Sequence, residues 1–196
     1  ITYDGETYHV EFIGAEAFAH CSSLTSVKLG GLIWYIEGGA FKECSALGSI
    51  ISQSSDYGTL AFIGGEAFYG CSNLTTIKLP SRHLIEIGSK AFYGCSSLTS
   101  LNLPGPEYDW DPSEKSVGNE AFYGCSNLTT INIPKFTQIG DGVFSGCTNL
   151  TSVNISKAKE IGKNSFYYCS NLTSITTSNI ITIGDAAFYG CTGLTS

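Results

Sequence analysis

The residues of this chain best suited to chemistry are its eight cysteines, Cys21, Cys44, Cys71, Cys95, Cys125, Cys147, Cys169 and Cys191. Thiols can pair as disulfides, ligate zinc or attack an electrophile as thiolates, and His20 stands beside Cys21 where a base would be wanted. Their spacing decides among these chemistries. Successive intervals are 23, 27, 24, 30, 22, 22 and 22 residues. A Phe precedes every cysteine by three positions (Phe18, Phe41, Phe68, Phe92, Phe122, Phe144, Phe166, Phe188), and a Leu follows each by three, from Leu24 to Leu194. Eight thiols in one local frame mark a structural slot, whereas a reactive thiolate needs an exposed, electropositive setting. No catalytic residue is assigned, and the chain is read as no enzyme.

A disulfide framework is the usual reading of many cysteines in a small secreted chain with too little core. Stacked repeats place neighbouring cysteines about 4.7 to 4.9 Å apart. Their Cβ vectors then run parallel instead of converging to the roughly 3.8 Å that a bridge requires. The favoured reading is a ladder of reduced, buried thiols acting as small hydrophobes; one or more bridges is the alternative. Zinc needs four ligands converging on a tetrahedron, which a linear ladder does not supply. We expect neither metal nor cofactor.

The elements that position these cysteines follow from the same frame. Five residues before each Phe lies Ile or Val (Ile13, Ile36, Ile63, Ile87, Val117, Ile139, Ile161, Ile183), followed by Gly in every copy except Glu37. The unit reads I-G-x-x-A-F-x-G-C-S-x-L-T-S-I-x-I. A period of 20 to 30 residues implies a solenoid whose coils bury their apolar edges by stacking. Within L-T-S-I-x-I, the spacing of Leu74, Ile77 and Leu79 suits a short strand with Lys78 facing out, and stacked copies make a parallel sheet. The G-x-x-A-F-x-G-C segment suits one short helical turn, with a left-handed glycine at its end (Gly70, Gly94, Gly124, Gly146, Gly190).

The unit resembles the BspA-type leucine-rich repeat of bacterial and protozoan surface proteins, from about Ile13 to the C-terminus. The resemblance implies a right-handed leucine-rich repeat solenoid of short parallel strands and short helical turns, in about eight coils of 22 to 30 residues. It also implies a secreted or cell-surface location and, as in some members, adhesion to host or matrix proteins. Departures are Glu37 at a glycine position, Ser52 and Thr177 at inward apolar positions, and prolines at this position only at Pro80, Pro104 and Pro134.

Of the 196 residues, 42% are hydrophobic and 14% charged, enough to bury a substantial core. Net charge of -7 without clustered Lys or Arg argues against nucleic acid as a partner. No run of 18 apolar residues is present for direct membrane insertion, and the N-terminal residues do not read as a signal peptide. With no Met and an end in mid-repeat, the chain reads as a processed fragment. Residues 1–12, with Asp4-Gly5 as a hairpin turn, are expected to form a partial cap on a solenoid spanning 13–196. The C-terminal end reads as uncapped, so either more repeats follow in a parent protein or a second copy covers it as a homodimer; a monomeric profile at high concentration counts against the homodimer.

Function is then expected where the chain leaves its frame. Residues 52–61 and 104–116 lengthen two periods. The first carries Asp56 and Tyr57, and the second Glu107, Tyr108, Asp109, Trp110 and Asp111. Aromatics among acids can bind an extracellular protein or glycan, and the carboxylates can hold calcium, although the glycine and spacing of an EF-hand are missing. The alternative is a solvated loop whose Trp packs back on the scaffold. A second candidate is the sheet face, expected to be concave, with Lys28, Lys78, Asn102, Asn132 and Asn154 outward beside a Ser/Thr row. A third is the tyrosine stripe Tyr69, Tyr93, Tyr123, Tyr167 and Tyr189, for which edge packing is favoured. Sequons at Asn73, Asn127, Asn149, Asn171 and Asn154 fit turn caps copied by repetition, with glycan attachment as the alternative. His9 and His83 fall outside the frame. The leading function is a surface binding or adhesion module; the alternative is a passive spacer.

Overall fold

The computed structural model describes residues 10–30, 32–52, 60–79, 82–103, 105 and 114–195, together with the backbone of residues 2–3 and 6–7. The chain is a β-solenoid of about seven turns. We number its coils one to eight by their phenylalanines, Phe18 to Phe188. Each coil opens on a two-residue strand that carries the Ile or Val of the repeat. These strands, Phe12–Ile13, Tyr35–Ile36, Phe62–Ile63, Glu86–Ile87, Ser116–Val117, Gln138–Ile139, Glu160–Ile161 and Thr182–Ile183, form one eight-stranded parallel sheet in strict register. This sheet is an addition to the sequence reading, which placed strands only in L-T-S-I-x-I.

The L-T-S-I segments form a second row, and that row is split. Ser26–Leu29, Ser49–Ser52 and Thr76–Lys78 make a three-stranded parallel sheet. Ser100–Asn102, Thr130–Asn132, Ser152–Asn154 and Ser174–Thr176 make a four-stranded one. A seam therefore lies between coils three and four on this side while the eight-stranded sheet runs past it. At the N-terminus Thr2–Tyr3 pairs antiparallel with Glu6–Thr7, while the expected Asp4-Gly5 turn lies outside the described residues.

The expected helical turn is replaced by linked β-turns, and no helix occurs among the described residues. Hydrogen bonding shows why. In coil one the amides of Ala17, Ala19 and Cys21 bond back to the carbonyls of Gly14, Glu16 and Phe18, closing tight turns. The alternating amides of Glu16, Phe18 and His20 donate instead to Gly38, Ala40 and Lys42 of the next coil. A helix would keep both sets to itself and leave the coils unjoined. The alternation requires a left-handed residue two places before and two places after each Phe. The glycines expected there comply, with φ of 69 to 77° at Gly70, Gly94, Gly124, Gly146 and Gly190. So do nine non-glycine residues, among them Glu16, Glu66, Lys90, Glu120, Asn164 and Tyr168, at φ of 53 to 59°.

Inside, the phenylalanines stack without interruption, with centroids 5.0 to 5.5 Å apart from Phe18 to Phe188. Their side chains from Phe41 to Phe166 are fully buried. Beside them the cysteines form the expected ladder, free and buried from Cys44 to Cys169. Each of these thiols, and that of Cys191, donates to the carbonyl of the preceding coil's Phe, at 2.9 to 3.2 Å. The slot is thus polar as well as apolar: it takes a small hydrophobe that also satisfies a backbone oxygen. Burial pushes the Cys71 and Cys125 thiols up to about 12 and raises Cys95 and Cys147 well above the ordinary range.

Cys21 corrects the expectation of a uniformly buried ladder, because in coil one its slot is exposed. Brief native alkylation with iodoacetamide near neutral pH is therefore expected to label Cys21 first and leave Cys95, Cys125 and Cys147 unmodified, read by peptide mass. Comparable early labelling of Cys125 would contradict the ladder.

Candidate binding surfaces

The three surfaces expected from the sequence differ in what the structure describes. Asp56, Tyr57, Glu107, Tyr108, Asp109, Trp110 and Asp111 lie outside the described residues. Their roots are placed: both long segments leave the C-terminal ends of strands in the split row, Ser49–Ser52 in coil two and Ser100–Asn102 in coil four. The seam falls between them.

The sheet face brings its polar residues into register. Lys28 and Lys78 flank Ile51 on the three-stranded sheet. Asn102, Asn132 and Asn154 stand side by side on the four-stranded sheet. Asn132 Nδ2 donates to Asn102 Oδ1 at 2.6 Å, and Asn154 Nδ2 to Asn132 Oδ1 at 2.7 Å. Asn154 Oδ1 also accepts from Ser156 Oγ at 2.7 Å. The ladder satisfies much of its own hydrogen-bonding capacity, which leaves fewer groups for a ligand than an open row of amides would. A shallow cleft of about 380 Å³ runs over these residues. The sequon asparagines behave alike: Asn149 donates to Asn127 at 3.4 Å and Asn171 to Asn149 at 3.5 Å, across coils and all exposed.

The tyrosine stripe lies along the turn edge. Tyr69, Tyr93 and Tyr123 stack at 4.9 and 4.8 Å, and Tyr167 on Tyr189 at 5.1 Å. Lys42 Nζ lies 5.4 Å from the Tyr69 centroid and donates to Glu66 at 2.7 Å, an ion pair that raises its pKa. Lys90 Nζ lies 6.0 Å from the Tyr93 ring. Desolvation in the stack, then the neighbouring phenols, raise the Tyr93 pKa.

A fourth surface escaped the sequence reading. Phe12, Tyr35 and Phe62 stack at 5.2 and 4.9 Å on the outer face of the eight-stranded sheet. Trp34 is exposed beside them, 6.4 Å from the His83 ring. Its signal was available: position x of x-I is aromatic in coils one to three and polar afterwards. It was missed because two-residue strands carry no alternation to reveal an outer face. His20, read beside Cys21, instead faces Glu43, with Nδ1 and Oε2 2.9 Å apart.

Comparison with known proteins agrees with this architecture. A leucine-rich repeat protein of T. pallidum superposes with a TM-score of 0.73 and 26% identity, covering 88% of this chain and 79% of that one. A leucine-rich cell surface protein from Faecalibacterium prausnitzii A2-165 superposes with a TM-score of 0.57 and 22% identity, over 100% of this chain and 66% of that one. None of the curated proteins matches the sequence. The family model described as BspA type Leucine rich repeat region, in six copies, matches residues 11–111 and 108–196. The repeat frame, the stacked core and this match together mean that the chain belongs to the BspA-type leucine-rich repeat family.

Proposed function

We propose that the chain is a cell-surface or secreted binding module that recognises a protein or glycan partner, and that its long loops are the first place of contact. The observation that carries this reading is the common origin of the two insertions. Both leave strands of one row, two coils apart, so their roots lie on the order of 10 Å from each other. A rigid scaffold that roots long segments close to one another is a general arrangement for recognition. The name of the F. prausnitzii relative as a cell surface protein supports the location. The reading is non-enzymatic: the repeated thiols serve the core, and burial raises the pKa values of the inner ones, Cys71 and Cys125 among them, which opposes nucleophilic use.

The self-paired asparagine ladder favours a second reading, in which the sheet face is structural and the module is a spacer. An array of extracellular-matrix proteins and glycans separates the two. The intact chain is expected to bind at least one component saturably, with binding lost when residues 105–115 are replaced by a short Gly-Ser link. Saturable binding that survives the replacement removes the second loop from the site, and no binding by either form supports the spacer.

A further inference from the structure

The tyrosine stripe is broken at one coil, and the break has the shape of the missing part. The position after each core Phe reads Tyr69, Tyr93, Tyr123, Ser145, Tyr167 and Tyr189 from coil three to coil eight. Coil six lacks a second side chain as well. Gly142 stands where coil five has Glu120 and coil seven has Asn164. The result is a cleft of about 440 Å³ walled by Tyr123 and Tyr167, with Ser145 between them and Glu120, Lys163 and Asn164 around it. Ser145 is only 8% exposed, and the Phe122–Phe144–Phe166 stack continues at 5.5 and 5.1 Å. The notch is therefore a surface feature above a closed core.

We infer that this notch is a binding slot for one planar aromatic ring, a tyrosine or tryptophan side chain presented by a protein partner. Tyr123 and Tyr167 are two coil steps apart, about 10 Å. A ring inserted midway stands about 5 Å from each wall, matching the 4.8 to 5.1 Å at which the tyrosines stack on one another. The walls cannot close on the gap, because Gly124 donates to the Ser145 carbonyl and Gly146 to the Tyr167 carbonyl, both at 2.9 Å. These bonds hold coils five, six and seven in register. An empty gap between two ring faces leaves apolar surface that a guest ring covers, with stacking added to the burial.

The rim selects among aromatic rings. Glu120, Asp141 and Lys163 line the slot. Lys90 stands 3.6 Å from Glu120 and Asp185 3.9 Å from Lys163, while Asp141 Oδ1 accepts the Lys163 amide at 2.7 Å. Carboxylate acceptors favour a ring with an edge donor, a phenol O–H or an indole N–H, over phenylalanine. They also disfavour acidic residues flanking the guest. A pyranose chair is thicker than a planar ring and fits the stacking interval less well. The slot shares no residue with the sheet face and none with the long segments 52–61 and 104–116, so it stands or falls independently of them.

The test is an NMR titration of the whole chain with N-acetyltyrosinamide and N-acetyltryptophanamide, with methyl β-glucopyranoside as the sugar arm. The expected result is saturable upfield movement of the amides' ring protons, from the ring currents of two facing tyrosines, in the millimolar range. Ser145→Tyr fills the gap from within and should abolish the shift, and Tyr123→Ala should weaken binding about tenfold. If Ser145→Tyr does not fold, Gly142→Lys fills the notch from its other side with a residue that Lys90 shows to be compatible with that backbone. Absence of saturation, a shift that survives a folded filling variant, or saturable binding of the glucoside in place of the amides would each overturn the inference.

Discussion

Raising the pH from about 8 to about 10 is expected to strip much of the stability of this solenoid, because its core is built on thiols that must stay protonated. Burial pushes Cys71 and Cys125 up to about 12 and raises Cys95 and Cys147 as well. In the unfolded chain the same thiols ionise near their ordinary pKa of about 8.5. Above that point the unfolded state binds fewer protons than the folded one, so stability falls with rising pH. The stabilisation is fully present below about 8.5 and is lost through the window up to about 12. Each thiol contributes a slope of about 1.4 kcal/mol per pH unit, and four contribute about 5.5. The roughly 1.5 units between about 8.5 and about 10 then remove about 8 kcal/mol, comparable with a typical total of about 5 to 15 kcal/mol. Urea unfolding under reducing conditions at about pH 8, 9 and 10 reads the slope directly. Cys125→Ala should lower stability near neutrality, since it removes the S–H donor to the Phe92 carbonyl. It should also flatten the slope by about a quarter. A midpoint indifferent to pH, or a slope indifferent to this substitution, would remove the thiols from the account.

The same cysteines show how the sequence can be read. Phe, Cys, Leu and Ile repeat because a solenoid brings one copy of each into contact with the next. A side chain that stacks on itself must keep its place in every coil, so the core ladder and its period were legible. The turn was not, since G-x-x-A-F-x-G-C is too short to distinguish a helical turn from linked β-turns. Glu66, Lys90 and Glu120 also do not look like left-handed residues until the inter-coil bonds are seen. Exposure of Cys21 was hidden because its local sequence matches that of its buried counterparts. Of the candidate site, the in-register asparagines were legible, while their mutual hydrogen bonds depend on rotamers that no spacing encodes. The gap at Ser145 was visible as a single deviation in a row of tyrosines. Its meaning required the ring planes on both sides.

Gly88→Ala is expected to be among the most damaging single-methyl changes in the chain. A Cβ at Gly88 would stand 2.4 Å from the Gly65 nitrogen and 2.7 Å from the Gly64 carbonyl carbon, backbone atoms of the preceding coil that cannot swing aside. Gly88 is held there by its own amide, which donates to the Ile63 carbonyl at 2.7 Å. To admit the methyl group, coils three and four must part where the other sheet row is already split between Thr76–Lys78 and Ser100–Asn102. We expect a loss of about 3 kcal/mol or more. Because each coil is supported by its neighbours, hydrogen exchange should accelerate first at the amides bridging coils three and four. Gly14 is the control, occupying the same repeat position in coil one with no atom within 4 Å of its added Cβ. Gly14→Ala should change stability by less than about 1 kcal/mol. If both substitutions cost the same, close approach between coils is not the reason for the glycine row. Coil two already carries a natural departure at this position, Glu37, and there the coil-one side has adapted: the Ala15 amide donates to the Glu37 carboxylate at 3.0 Å. Alanine at Gly88 offers no such compensation, because a methyl group cannot accept a hydrogen bond from the Gly65 amide it would meet.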